Sequence, residues 1–228
     1  MSAWRLGAQL TGSRLRAERT PHLLLACVLL AALLAYLERQ LGGVGAADRA
    51  LERDCFGVLL PLVGYATFQR ATGGARLDSS VRTVARHGVS GRGVWLGAAL
   101  APTALLSLLG MTFAVVTICF ARGLAGSGLA RELWQSSGIG AFAGAAYGAW
   151  LSASSDLGRL GVGRKWMLVL DLALGSTSGT FALPWPRAHI QNLLGGEPPS
   201  GLGQGMAFAM LLTGALSVLL VALRRAPD

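Results

Sequence analysis

The chain has 228 residues, 53% of them hydrophobic and only 14% charged. A water-soluble domain usually carries about 25% charged residues, so these few cannot cover a water-facing surface and an ordinary soluble protein is excluded. The formal charge of +9 does not point to nucleic acid, because the basic residues lie in short segments between apolar runs and not on one domain.

In chain order, Ser2–Thr20 carries Arg5, Arg14, Arg16 and Arg19. Trp4, Ala8 and Leu15 approximate one helical face, which predicts an amphipathic helix lying in the membrane interface. Thr20-Pro21 then offers a cap and a first-turn proline. Six apolar stretches follow: about His22–Leu37, Cys55–Ala71 (containing Pro61), Val94–Phe120 (containing Pro102), Leu133–Ser154, Trp166–Leu183 and Gly205–Leu223. About 20 residues of helix cross the hydrocarbon core. The alternation that a membrane barrel requires is missing. The expected fold is therefore all-α, one polytopic domain of six transmembrane helices. The arginines, apolar run and Val44-Gly45-Ala46 mimic a signal peptide, but Glu38 and Arg39 interrupt the approach to that site, so an uncleaved first span is expected.

Basic residues alternate between dense and sparse segments. The N-terminus, the second and fourth connections and the C-terminus together hold 14 Lys and Arg; the first, third and fifth connections hold 6. The positive-inside rule puts the richer set, and with it both termini, in the cytoplasm. An even number of spans requires the same.

Three cysteines are present. Cys55 and Cys119 are placed for a disulfide in an oxidising periplasm, although small apolar packers, Cys27 included, are the preferred reading. No Cys/His cluster marks a metal site.

The longest cytoplasmic connection is residues 72–93, with its flanking Arg70. Asp78 or Ser79 is positioned to cap a short basic helix through His87, and Gly88 to end it; Ser90 starts the third span. A headgroup-binding arginine loop and a partner-docking helix both fit.

This layout resembles the permease subunits of the ABC type-2 transporter family. The residues carrying the likeness are Leu77-Asp78, Val89-Ser90-Gly91-Arg92 and Val94-Trp95-Leu96-Gly97, together with the interfacial N-terminal helix, six spans and a hydrophobic hairpin-like piece before the last span. The likeness covers nearly the whole chain in layout. It implies an ATP-driven exporter of a bacterial plasma membrane, paired with a second permease and with separate ATPase subunits. Asp78, Ser79, Arg82, Arg86 and His87 would dock in an ATPase groove. ATP and magnesium would be bound by that partner and no cofactor by this chain. Its single lysine lies in Gly161-Val162-Gly163-Arg164-Lys165-Trp166, which lacks the Lys-Ser/Thr ending of a nucleotide-binding loop.

Gly140, Gly144 and Gly148 form a smooth stripe for close helix packing, inside the chain in preference to a dimer seam. Asp171 is the one acid well inside a span; it is expected to reach the cytoplasmic interface or to pair with Arg159 or Arg164, the alternative being a proton or substrate role. Pro186 can begin, and Gly195-Gly196 end, an amphipathic helix near the outer surface. Within it His189 is a titratable or metal-binding candidate, with an interfacial hydrogen bonder preferred because no second His is near. Gly88-Val89-Ser90-Gly91 is similar to the nucleophile motif of rhomboid proteases, and Ser178-Gly179 lies at a suitable depth, but neither has a facing histidine. The alternatives to a permease are a membrane anchor or scaffold subunit and a secondary transporter using Asp171.

Overall fold

The computed structural model describes residues 2–226 except 18, 43, 44, 125, 126, 178, 197 and 198. Val44 and Ser178, considered above, thus lie outside the described residues. Every regular element among the described residues is helical. They are α1 (Ala3–Ala17), α2 (Thr20–Leu41), α3 (Ala46–Arg49), a π-helical stretch Ala50–Leu59, α4 (Leu60–Ala71), α5 (Leu77–Ala85), α6 (Gly91–Ala121), α7 (Leu129–Ser154), α8 (Gly163–Leu174), α9 (Pro186–Leu193) and α10 (Gln204–Arg225), with short 3-10 turns between the later ones.

Three of these, α2, α6 and α10, are long and apolar enough to cross a membrane, and they mark the chain as a membrane protein. The second apolar stretch is part of a continuous helical track from Ala46 to Ala71, longer than the expected Cys55–Ala71. Pro61 has no N–H, and its ring crowds the carbonyl of Gly57 four residues back; the π turns before it, closed by Leu60 N–H on the Cys55 carbonyl, relieve that crowding.

The fifth stretch differs from expectation. Instead of one helix over Trp166–Leu183, α8 stops at Leu174 and α9 starts at Pro186. The Thr177 hydroxyl takes the Leu174 carbonyl at 2.7 Å, competing with helix continuation. Twelve residues of helix reach about 18 Å, short of the hydrocarbon thickness.

Glycine sets the tightest packing. A Cβ at Gly140, Gly144 or Gly148 of α7 would overlap Gly110, Leu106 or Thr103 of α6 respectively, so the two helices run antiparallel in near backbone contact. α1 lies on the start of α6 through Gly7, whose added Cβ would overlap the Val94 carbonyl. That approach buries Gly7, Thr11 and Leu15. Of the expected interfacial face, Leu15 is buried against the bundle while Trp4 is left uncovered by the rest of the chain, with the Arg5 guanidinium over its ring. The expected Thr20 cap is also absent; Thr20 is already helical and its buried hydroxyl has no partner among the described residues. Cys27, Cys55 and Cys119 are all free, and Cys55 Sγ lies 3.1 Å from the Thr117 hydroxyl, which removes the Cys55–Cys119 disulfide.

The connections sort to two ends of the bundle. At one end, Arg14 of α1 reaches the Ala71 carbonyl and Ser80, Arg164 reaches Phe68 and Ala75, and Leu77, Val81, Val94, Trp95, Ala222 of α10 and Ala226 just after it form one apolar cluster. At the other, Ala35, Ala50 and Ala121 pack together. Arg39 lies beside Gly123 there, and Arg187 beside Gly57.

Candidate functional site

The first end of the bundle builds its site around α5. This helix buries Leu77, Asp78 and Val81 against the body and exposes Ser79 and Arg82; it ends at Ala85, short of the expected His87, and Arg86 and His87 are exposed in the turn that follows. Neither expected cap acts as one. Asp78 turns its carboxylate to Arg76, through bonds of 2.9 and 2.8 Å, and to Arg82 at 3.4 Å. The Ser79 hydroxyl donates to the Arg76 carbonyl at 2.7 Å. The open N–H of Asp78 donates instead to Oδ1 of Asp156, just past α7, at 2.8 Å. Oδ2 of Asp156 accepts the indole N–H of Trp95 on α6, also at 2.8 Å. One carboxylate therefore joins α5, α6 and the segment after α7, and the positive N-terminal end of α5 favours it. Burial pushes the Asp156 carboxyl above its ordinary value, while the two N–H donors pull it down.

A second tie fixes the segment leading into α5. Arg164, fully buried at the start of α8, donates to the carbonyls of Phe68 and Ala75 at 3.1 and 3.0 Å and to the Thr72 hydroxyl. These acceptors lie in the last turn of α4 and in the loop after it, and a guanidinium fork suits their spread.

Asp171 repeats the Asp156 arrangement in the bundle interior. Its Oδ1 accepts the backbone N–H of Arg187 in the first turn of α9 at 3.2 Å, and its Oδ2 accepts the Tyr147 hydroxyl of α7 at 2.8 Å. This corrects the expected pairing with Arg159 or Arg164: α8 carries Asp171 away from both, and Arg164 is committed to α4. His189 is buried; its Nε2 donates to the Leu183 carbonyl at 2.8 Å, and Nδ1 has no partner among the described residues. Ser90 caps α6 by accepting the Gly93 N–H at 3.3 Å. Gly140, Gly144 and Gly148 lie inside the α6–α7 seam, apart from both carboxylate sites.

The sequence singles out neither Asp156 nor Tyr147, and it presents Trp95 only as part of the family likeness. The only signal for Asp156 was an acid beside the basic turn after α7, with nothing to name its partner. No protein-family model matches the chain, and no curated protein matches it.

Proposed function

We propose that this chain is the permease subunit of an ATP-driven ABC-type exporter in a bacterial plasma membrane. It crosses the bilayer six times with both termini in the cytoplasm, the broken α8–α9 passage serving as the fifth crossing. It works beside a second permease and two ATPase subunits that bind ATP and magnesium. The observation that carries this reading is α5: a short helix whose N-terminus Asp156 fixes to α6 and α7 while Arg82 on it, and Arg86 and His87 in the turn after it, are exposed. A partner's push on such a helix passes directly to two long helices. The gathering of the N-terminal helix, the second and fourth connections and the end of α10 at one end of the bundle supports the charge-based orientation.

Copurification with the product of the neighbouring gene tests this. An ATPase should come down with the wild type and be lost from Arg82→Glu/Arg86→Glu at unchanged permease yield. A stable complex containing no ATPase would favour a membrane scaffold. Asp171, held between Tyr147 and α9, acts here as a positioning residue and not as a coupling-ion site.

A further inference from the structure

A groove of about 730 Å³ opens on the outside of the bundle between α7, α8 and α10. α8 closes onto α7 through Gly163, whose added Cβ would overlap the Ser154 carbonyl, and α10 closes onto α7 where Gly214 meets the Trp150 ring. Between these contacts the walls are apolar, with Trp150, Trp166, Leu170 and Val218 among the lining residues. On α10 the lining runs from Ser217 to Arg225, and on the α7–α8 side from Trp150 round to Leu170, so the groove extends about 12 Å along the helices.

Its polarity is one-sided. Arg159, in the turn before α8, and Arg225, at the end of α10, both line it at the α5 end of the bundle, and both are exposed with no ion pair among the described residues. Asp156 is the acid in the lining, but both of its oxygens are already taken by the Asp78 and Trp95 N–H groups.

We propose that this groove binds an acidic membrane phospholipid, its acyl chain along the Trp150–Trp166 walls and its phosphate between Arg159 and Arg225. An apolar trough with a cationic rim matches that amphiphile in both parts: the chain is removed from water, and the phosphate meets guanidinium donors. The site is independent of ATP-driven transport and rests on the membrane location alone.

Native mass spectrometry of the full chain, titrated with phosphatidylglycerol, with phosphatidylcholine of the same chains and with glycerol phosphate, tests it. Phosphatidylglycerol should be preferred over phosphatidylcholine by roughly tenfold or more, two arginines contributing. Glycerol phosphate alone should not compete. Arg159→Gln/Arg225→Gln should bring phosphatidylglycerol down to the phosphatidylcholine level without lowering the melting temperature. Val218→Trp should weaken both lipids; if it fails to fold, the arginine pair carries the test. Equal binding of the two lipids by the wild type, a preference that survives the double Gln change, or a second copy of the chain occupying this face in place of lipid would each overturn the proposal.

Discussion

Asp156 and Asp78 are joined across 78 residues of chain by a bond from the Asp78 backbone N–H to Asp156 Oδ1. Helix α5 thus has its N-terminal partner supplied from another element, its own flanking side chains being engaged elsewhere. Asp171 does the same for α9, whose preceding residue Trp185 makes no side-chain cap. In both cases an aromatic donor occupies the second oxygen, Trp95 in one and Tyr147 in the other. Two short helices, neither long enough to be stable alone, are each positioned by one carboxylate, half-buried at Asp156 and buried at Asp171.

Asp156→Ala removes the acceptor for both N–H groups. The loss should be about 2–3 kcal/mol, a cap together with a charge-assisted bond. Hydrogen exchange should speed up through Leu77–Ala85 while the α6–α7 seam stays protected. Unchanged exchange in α5 would mean that Asp156 does not hold it.

The pH dependence of stability follows from the raised Asp156 titration. A carboxyl that holds its proton more tightly folded than unfolded contributes stability below its unfolded pKa of about 4, and loses it as pH rises through the folded value. Compared with Asp156→Asn, which does not titrate, the wild type should therefore lose ground in melting temperature as pH is raised from 4, then level off. A difference that moves the opposite way would show that the N–H donors outweigh burial.

Arg164 and Lys165 are neighbours with different burdens. Arg164 is fully buried and reaches three acceptors, whereas Lys165 is exposed. Arg164→Met should cost about 3 kcal/mol or more, and Arg164→Lys should recover little of it, because an ammonium lacks the fork. Lys165→Ala should stay within about 0.5 kcal/mol. Thermal unfolding in detergent reads all three.

The glycines of α7 provide an internal control. Gly144→Ala drives a methyl into the Leu106 carbonyl and should cost more than about 2 kcal/mol, whereas Gly138→Ala meets open space and should be neutral or gain up to about 1 kcal/mol. Equal effects would mean that the α6–α7 seam can open to admit a side chain.

What the sequence reveals about this molecule is mostly local. The Ser90 cap, the Pro186 helix start and the glycine stripe are legible because each is written within a few residues. Asp156 stands alone in a turn, and Arg164 reads as one more basic residue of a flank; their partners lie 61 to 96 positions away, which no local pattern encodes. The break after Leu174 was hidden because Gly175-Ser176-Thr177 is short and the apolar residues resume beyond it. The docking of α1 on α6 through Gly7 is not legible in the sequence, because hydrophobicity ranks Trp4 above Gly7 while close backbone approach selects Gly7.

Docking of an ATPase on α5 is the proposal from which the rest of the functional reading follows. Its most direct measurement replaces His87, on the exposed side of that segment, with a photocrosslinking amino acid in cells that also produce the ATPase, with the same replacement at Trp134, exposed near the start of α7, as comparison. A covalent product with an ATPase subunit from position 87 and none from position 134 is the expected result. No ATPase product from position 87, or equal products from both positions, would contradict it.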